Sequence, residues 1–409
     1  MKPGYKQTEI GVIPVDWEIK CLPSFGDVVS GGTPSTSVSE YWDGDIAWCT
    51  PSDITRTKGT TIAKTERYIT VKGLANSAAA LLPPGCVLLC TRATIGDSKI
   101  NSVAMATNQG FKNIIPKNCN ITFLFYLLQT KKQEMLEKAI GSTFLEISKN
   151  ALCSIPLQYP PVPEQQRIAE ALSDMDELIA SLEKQIAKKK AIKQGAMQEL
   201  LTGKRRLPGF TGEWKSVCLS EIGYFIKGSG ISRADASSGK LPAVRYGELY
   251  TKHDNYVKEY YSHISFDVAQ TAVPVTYGAI LFAASGETKE EIGKCAAIID
   301  DHIVYAGGDI LIFVPDKPIH PVFFGTLLNT PEVCKQKAQR GQGDAVVHIH
   351  ADSLSKIKVT IPDYEEQAAI ADVLLSADRE IDLLEIQVTK ARQIKQGMMQ
   401  QLLTGKIRV

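Results

Sequence analysis

The sequence lacks an excess of either charge. Among 409 residues, 46 are Lys or Arg and 45 are Asp or Glu, giving a formal net charge of +1. Charge alone therefore does not attach this chain to nucleic acid, although a local basic patch or a more basic partner still can. Hydrophobic residues make up 44% and charged residues 22%, which excludes a mainly disordered chain. The length predicts about two to three domains.

Paired cysteines and long apolar runs are also missing. The nine cysteines are odd in number and none forms a CxxC pair, which argues against a disulfide framework or zinc ribbon and favours a reducing cytoplasm. The apolar segment 272–284 is interrupted by Thr276 and Gly278 and is too short to span a bilayer. The first residues contain no apolar stretch typical of a signal peptide.

The chain contains an internal repeat. Segments beginning at Glu164 and Glu366 align without a gap and share IKQG, at 192–195 and 394–397, and LLTGK, at 200–204 and 402–406. Trp17 and Trp214 open the two halves in the same way, whereas the sequence that follows diverges. We therefore predict a variable block at 1–158, a helical region at 159–207, a second block at 208–362 and a second helical region at 363–409.

Each repeated segment predicts one long helix with a heptad seam that requires a partner helix. The seam residues are Ile168, Leu172, Met175, Ile179, Leu182 and Ile186 in the first helix and Ile370, Leu374, Ala377, Ile381, Leu384 and Val388 in the second. The alternative is an amphipathic helix that packs on its own domain. Beyond Ile186 lysines interrupt the first seam, and we expect it to shift toward Ile192.

The charge order predicts how the helices pair. Both segments begin acidic and end basic, so an antiparallel pair sets acid against base along its length. A helix of about 38 residues would be roughly 57 Å long. We expect a capping box at Asp363 and Glu366, and left-handed C-caps at Gly203 and Gly405. Glycines 195 and 397 cost about 1 kcal/mol each inside a helix, which indicates close backbone approach or a kink.

The two variable blocks predict α+β domains. Short β-rich runs alternate with Gly-rich turns, one helical stretch is expected near 123–138 and another near 322–338, and a strand closes each block at 152–157 and 357–361. Trp17 and Trp214 are interpreted as core anchors.

Polar and basic residues in the loops of both blocks are candidates for reading DNA. Arg and Lys suit guanine edges and Asn and Gln suit adenine edges, although for any single one of them ordinary surface solvation is the favoured explanation. The candidates are Arg56, Lys58, Arg92, Lys99, Asn108, Gln109 and Lys112 in the first block and Lys227, Arg233, Lys240, Arg245, Lys252, Lys289, Arg340 and Gln342 in the second.

Two patterns offer weak catalytic alternatives. His348, His350 and Asp352 imitate part of a metal-hydrolase motif, but the final His is missing and the first half has no histidine. Asp267 with Glu287 and Lys289 fits a nuclease triad loosely. We therefore interpret the chain as a non-catalytic binder with no metal site.

The arrangement closely resembles the specificity subunit of Type I DNA restriction–modification systems over essentially the whole chain. The helical repeats carrying EQ, IKQG and LLTGK are its strongest marks. The resemblance implies an α+β chain in which two target recognition domains are joined and separated by an antiparallel coiled coil with internal pseudo-twofold symmetry. It implies double-stranded DNA, modification subunits and restriction subunits as partners. S-adenosylmethionine, ATP and Mg²⁺ would then be held by those partners.

Two rival functions remain open. One is a self-sufficient metal-dependent nuclease, and the other is a coiled-coil assembly protein without a DNA role.

Overall fold

A computed structural model describes residues 3–141, 145–343 and 346–409 of the chain. The fold divides into two compact units. The first unit is the chain up to Gln185 together with Leu384–Val409, and the second unit is Ile186–Leu383. Both boundaries fall inside the two long helices. Each unit thus combines one variable block with the start of one long helix and the end of the other.

The first variable block contains twelve short strands and five short helices among its described residues. The strands are β1 (Tyr5–Thr8), β2 (Gly11–Pro14), β3 (Glu18–Cys21), β4 (Gly26–Ser30), β5 (Trp42–Cys49), β6 (Thr61–Ile62), β7 (Arg67–Ile69), β8 (Val87–Cys90), β9 (Ser98–Asn101), β10 (Met105–Thr107), β11 (Phe111–Pro116) and β12 (Pro156–Tyr159). The helices are α1 (Pro51–Arg56), α2 (Val71–Ala75), α3 (Ile121–Thr130), α4 (Lys132–Glu137) and α5 (Lys149–Cys153).

The second variable block follows the first long helix, α6 (Val162–Leu200), and precedes the second, α12 (Tyr364–Leu402). Its strands are β13 (Lys215–Cys218), β14 (Gly223–Lys227), β15 (Leu241–Val244), β16 (Ser262–Ile264), β17 (Val273–Val275), β18 (Ile280–Ala283), β19 (Ser285–Gly286), β20 (Cys295–Ala297), β21 (Val304–Ala306), β22 (Ile310–Pro315), β23 (Val347–His348) and β24 (Lys358–Ile361). Its helices are α7 (Tyr246–Thr251), α8 (Phe266–Ala269), α9 (Pro321–Leu327), α10 (Pro331–Ala338) and α11 (Ala351–Leu354).

The two blocks share a strand arrangement although their sequences diverge. The main sheet has the order β4-β11-β8-β9-β6 in the first unit and β14-β22-β18-β20 in the second. A second sheet has the order β10-β5-β7 in the first and β16-β15-β21-β17 in the second, and its β5–β10 and β15–β21 pairs are both parallel. The predicted α+β class is confirmed.

The predicted helical stretches each divide into two helices. Near 123–138 the break lies at Lys131, and near 322–338 it lies before Pro331, which begins α10 and has no N–H to continue the preceding helix. The strand predicted from residue 152 was placed too early. Ser148 Oγ accepts a bond from the Ala151 amide at 3.2 Å and starts the short helix α5, so β12 begins only at Pro156.

Each unit has a main core that includes both of its long-helix segments. In the first unit Ile168 and Leu172 join a cluster with Leu402 and Leu403. In the second unit Ile370 and Leu374 occupy the corresponding places, with Leu200 and Leu201. The first turns of each long helix therefore pack both on the variable block of their unit and on the end of the other long helix.

The predicted C-caps and core anchors are confirmed. Gly203 has φ +67° and Gly405 has φ +71°, so both end their helices in the left-handed region that suits glycine. Trp17 is fully buried, and Trp214 is partly buried against the core of its unit. An added Cβ on Gly203 would lie 3.5 Å from the Trp214 ring, and one on Gly405 would lie 3.1 Å from the Trp17 ring. Each helix end therefore rests directly on an indole.

Candidate functional site

Opposite charges order the helix pair in the first unit. Asp176 pairs with Lys395 at 2.6 Å, and Glu183 pairs with Arg392 at 2.6 Å. The position along α6 rises as the partner's position along α12 falls, which confirms the antiparallel pairing. Glu183 and Arg392 are exposed, so their pair contributes little alone, and the order of charges along the two helices selects the orientation.

The second unit repeats the same order. Lys193 pairs with Asp378 at 2.6 Å, and Lys189 pairs with Glu380. The Lys193 and Asp378 side chains are only 17% and 12% exposed, so this pair is less screened by solvent than the others. Lys193 interrupts the predicted seam, and it also belongs to the basic end of the first helix that the charge order predicted to face acidic residues. The shift of the seam toward Ile192 was wrong, because Ile192 is 55% exposed.

The twelve predicted seam residues all lie away from full exposure. Met175, Ile186, Ala377 and Leu384 are half-buried, and the other eight are buried, namely Ile168, Leu172, Ile179, Leu182, Ile370, Leu374, Ile381 and Val388. The heptad spacing thus describes which side of each helix faces its unit.

Ala391 is also buried, although it lies outside the predicted twelve. It is 4% exposed and follows Val388 by three residues, so it continues the same side of α12 by one further step.

A buried tyrosine links each variable block to the helix pair of its unit. The Tyr126 hydroxyl donates to Asp176 at 2.6 Å, and the Tyr256 hydroxyl donates to Asp378 at 2.9 Å. Burial is the largest cause that raises the pKa of both hydroxyls, so they stay protonated donors. Sequence reasoning missed these links, because Tyr126 and Tyr256 occupy unrelated positions in the two blocks and only Asp176 and Asp378 correspond in the repeat.

A second link closes the helix ends in the first unit. Arg408 contacts the Glu164 carboxylate with Nε at 2.9 Å and Nη2 at 2.7 Å, and the Trp17 indole donates to the same carboxylate at 3.0 Å. The hydrogen bond from Arg408 to Asp16 also lowers the pKa of the Asp16 carboxyl. The residues after α12 are thereby tied to the start of α6.

The second unit closes in the same way. Arg206 contacts both Glu366 oxygens at 2.6 and 2.7 Å, and the Trp214 indole donates to this carboxylate at 3.2 Å. Glu366 was predicted to form a capping box with Asp363. Its carboxylate instead serves Arg206 and Trp214, because a bidentate guanidinium is a stronger partner for a buried carboxylate than one backbone amide.

The DNA candidates of the first unit lie in two groups. Around the turn at 56–60, Arg56 pairs with Glu66, Lys58 is exposed, and Lys99 donates to the Gly59 carbonyl. Burial lowers the pKa of Lys99. This group offers cations but no amide side chain.

The second group of the first unit surrounds the loop that follows β10. Asn108 Oδ1 accepts the Gly110 amide at 2.9 Å, Gln109 bonds Thr33, and Arg92 is half-buried beside them. Lys112 is 9% exposed and its ammonium lies 3.5 Å from the Phe111 carbonyl, so it does not share this surface.

The candidates of the second unit are more dispersed. Lys227 is exposed at the end of β14, and Arg233 and Lys240 are exposed on the segment between β14 and β15. Lys252 lies over the Tyr261 ring at 5.1 Å. Lys289 lies on the exposed segment after β19.

Three other candidates of the second unit border its structured core. Arg245 is engaged with Ser262 at 3.0 Å and with Glu248 at 3.4 Å. Arg340 donates to the Gln336 carbonyl at 2.8 Å. Gln342 is exposed and its backbone pairs with that of His348.

The catalytic patterns gain no supporting geometry. Within residues 3–141, 145–343 and 346–409, no group of three or more His, Cys, Asp or Glu side chains is placed to hold a metal ion. His348 Nδ1 instead lies 3.0 Å from Ser285 Oγ. In the described part of the chain, no helix is long and apolar enough to cross a membrane.

Two similar units, each joining a divergent block to a shared helix pair, define a modular recognition protein. The family model for the Type I restriction modification DNA specificity domain matches residues 14–194 and again 211–393. The chain therefore belongs to the family of Type I restriction–modification DNA specificity subunits, which are non-catalytic.

Curated relatives agree with this assignment. The MjaIX specificity subunit of Methanocaldococcus jannaschii is 42% identical over 184 residues, which are 44% of this chain and 43% of that protein. The MjaVIII specificity subunit of the same organism is 24% identical over 97% of this chain and 94% of its own length. The EcoR124I/EcoR124II specificity subunit of Escherichia coli is 31% identical over 41% of this chain and 42% of its own length.

Solved structures show the same fold. The Type I system S subunit from M. genitalium superposes with a TM-score of 0.60 at 14% identity, covering 98% of this chain and 99% of that one. The HsdS subunit from Thermoanaerobacter tengcongensis gives a TM-score of 0.53 at 16% identity, covering 97% and 98%. At these identities the likeness concerns the fold alone.

Proposed function

We propose that each unit reads one half of an asymmetric, two-part DNA target, while the antiparallel helices act as the spacer between the half-sites. The main support is the architecture itself: one strand arrangement occurs twice, carries different loop residues each time, and is joined to matched helices. Two different readers on one scaffold recognise a target whose halves differ. Phosphate contacts, from this chain or from partner subunits, would position the complex on DNA, and base contacts would specify the half-sites.

The buried links suit such a scaffold. Tyr126 and Tyr256 bind their blocks to the helices, and Arg408 and Arg206 fasten the helix ends to buried glutamates. A domain that must contact base pairs at fixed positions requires a rigid attachment to the helices that carry it.

The exposed IKQG segments of the two long helices suggest where partner subunits bind. Ile192 and Ile394 are 55% and 46% exposed, and a Cβ added to Gly195 or Gly397 would meet no atom within 4 Å. Close approach within this chain does not explain these glycines, so we propose that two modification subunits dock there, one on each IKQG segment. A solved structure that superposes on this chain with a TM-score of 0.62 concerns complex assembly in a Type I restriction–modification system.

The remaining chemistry would belong to those partners. We propose that modification subunits bring S-adenosylmethionine and that restriction subunits bring ATP and Mg²⁺ chemistry to the complex. We place the complex in the cytoplasm, a compartment that suits the nine free thiols of this chain.

Exchange of one block tests the proposal. The full chain is co-expressed with its modification subunits, and residues 208–362 are replaced by the corresponding block of another family member. Genome-wide mapping of methylated adenines should show a change in one half-site only. A change in both half-sites would contradict independent reading by the two units.

The nuclease alternative has its own control. The purified full chain is incubated with duplex DNA and Mg²⁺ or Zn²⁺ while circular dichroism verifies its fold. We expect no cleavage, and cleavage by the folded chain alone would favour the alternative.

A further inference from the structure

The two variable blocks close the same backbone hydrogen bonds despite their different sequences. In the first unit the Ile147 amide donates to the Thr91 carbonyl at 3.0 Å, and in the second the Ile349 amide donates to the Ala284 carbonyl at 2.9 Å. Ile147 and Ile349 correspond in the sequence repeat. This bond therefore fixes the equivalence of Thr91 with Ala284, and of Arg92 with Ser285.

A second bond extends the equivalence to the loop before the main-sheet strand. The Thr91 amide donates to the Gly110 carbonyl at 2.8 Å, and the Ala284 amide donates to the Asp309 carbonyl at 2.9 Å. Gly110 and Asp309 directly precede β11 and β22. Gln109 is thereby equivalent to Gly308.

A third bond adds the short helix of each block. The Asn108 amide donates to the Cys49 carbonyl at 3.0 Å, and the Gly307 amide donates to the Val244 carbonyl at 3.0 Å. Helices α1 and α7 begin two residues later, each with an acidic side chain, Asp53 or Glu248, closing a capping box. The acidic cap is thus retained where the structure requires it.

A final pairing completes the surface. Ile140 bridges Glu146 in the first unit, and Gln342 bridges His348 in the second. We call the surface formed around these bonds the loop face. Its equivalent residues are Pro51, Arg92, Gln109, Ile140 and Glu146 in the first unit and Tyr246, Ser285, Gly308, Gln342 and His348 in the second.

The loop face combines a constant backbone with different side chains. Where the cap is structural, both units keep an acid, but Arg92 is matched by Ser285 and Glu146 by His348. A purely structural surface would favour similar residue types on identical hydrogen bonds, because packing and polar demands would be the same. Two units that read different base pairs require different side chains on that shared backbone.

We infer that the loop face is the surface with which each unit reads base edges in duplex DNA, an inference that rests on the proposed function. In the first unit Arg92 suits guanine, Gln109 suits adenine, and Ile140, which is 82% exposed, suits the methyl group of thymine. An exposed isoleucine beside polar readers has no role in the core of its own unit.

In the second unit Gln342 and His348 form the centre of the face. Both side chains are exposed, and their backbones pair with each other through two hydrogen bonds of 2.9 and 2.8 Å. The 3.0 Å contact between Ser285 and His348 Nδ1 orients the ring. The amide of Gln342 suits an adenine, and the imidazole supplies a second polar contact to a neighbouring base.

Single substitutions test the inference in the complete complex. Gln342→Ala and His348→Ala alter the second unit, and Arg92→Ala and Ile140→Ala alter the first. Lys317→Ala is the control. Lys317 is exposed and follows the last residue of β22, whereas Asp309 precedes the first residue of that strand. The complex is titrated with a DNA duplex that carries the target site identified by mapping methylated adenines, and with duplexes in which one half-site is changed.

Arg92→Ala and Gln342→Ala should each lose about 10- to 100-fold in preference for the half-site read by their own unit, the range of one bidentate base contact. Ile140→Ala and His348→Ala should lose preference for the same half-sites by a smaller factor. The other half-site should keep its preference, and Lys317→Ala should keep both. Thermal unfolding of each variant separates recognition from folding, and Gln342→Ala removes only an exposed side chain.

Different results are expected if the proposed function is wrong and if only the loop face is wrong. If the wild-type complex shows no two-part site, the proposed function fails. If it shows one and the four variants keep both preferences, the loop face alone is wrong. Loss at both half-sites from one variant would also contradict it.

Discussion

At the scale of single residues, the carboxylates of the long helices do more than pair with lysines. Asp176 accepts from both Tyr126 and Lys395, and Asp378 accepts from both Tyr256 and Lys193. A carboxylate with two donors from different parts of the chain couples block to helix. Hydrogen bonds to charged groups are the stronger kind.

Tyr126→Phe tests this coupling. The ring stays buried and only the hydroxyl is lost, so we expect the free energy of unfolding to fall by about 1.5–3 kcal/mol. Urea unfolding of the full chain measures the change. Tyr224→Phe is the matched control, since that side chain is 55% exposed and should change stability by less than about 0.5 kcal/mol. Equal effects would show that the Asp176 bond does not stabilise the chain.

At the scale of elements, neighbouring leucines of α6 have opposite environments. Leu182 is 8% exposed, whereas Leu178 is 47% exposed. Leu182→Asp places a charge among buried side chains and should cost at least about 2 kcal/mol, while Leu178→Asp should cost less than about 1 kcal/mol.

Hydrogen exchange locates the damage from Leu182→Asp. We expect lost protection in the segments of α6 and α12 that belong to the first unit and retained protection in strands such as β8 and β11. Loss throughout the variable block would mean that the helix pair and the block do not unfold separately.

The glycines of the IKQG segments give a second prediction for the helices. Because nothing lies near Gly195, Gly195→Ala should stabilise the isolated chain by up to about 1 kcal/mol. The added methyl group should at the same time weaken binding of a modification subunit. Urea unfolding and co-elution measure the two effects, and Gln194→Ala is the exposed neighbour used as control. A more stable chain with unchanged assembly would argue against docking at Gly195.

At the scale of the whole molecule, the two units differ in their response to acid. All six histidines belong to the second unit. Burial lowers the pKa of His253 below its ordinary value of 6.5, against an opposing effect of Glu248 and with a further lowering by Lys294. Burial also lowers the pKa of His320, opposed by Asp372. Both rings are therefore neutral in the folded state when an unfolded chain would already bind protons.

This difference predicts selective acid destabilisation. As the pH falls below about 6.5, the unfolded second unit gains protons that the folded one excludes, so its stability falls until the lowered pKa values are reached. Hydrogen exchange at pH 7.5 and 5.5 should show weaker protection in the second unit and little change in the first. The double variant H253Q/H320Q should reduce the difference, and equal losses in both units would contradict the prediction.

Much of this organisation was predictable from the sequence because it depends on local periodicity and internal repetition. The heptad spacing identified the inward sides of α6 and α12, the acid-to-base order along each helix determined their direction, and Gly203 and Gly405 marked their ends. These features follow from helix geometry and from residues that lie close together in the chain.

Other features were decided only by the tertiary structure. The units divide inside the helices because each core takes Leu402 or Leu200 from the far end of the other helix. Tyr126, Tyr256 and the hydrogen bonds of the loop face join segments distant in sequence, and no local pattern encodes such contacts. The repeat revealed two matched halves, but the equivalence of Arg92 with Ser285 is visible only in backbone hydrogen bonds, since those persist where side chains have diverged.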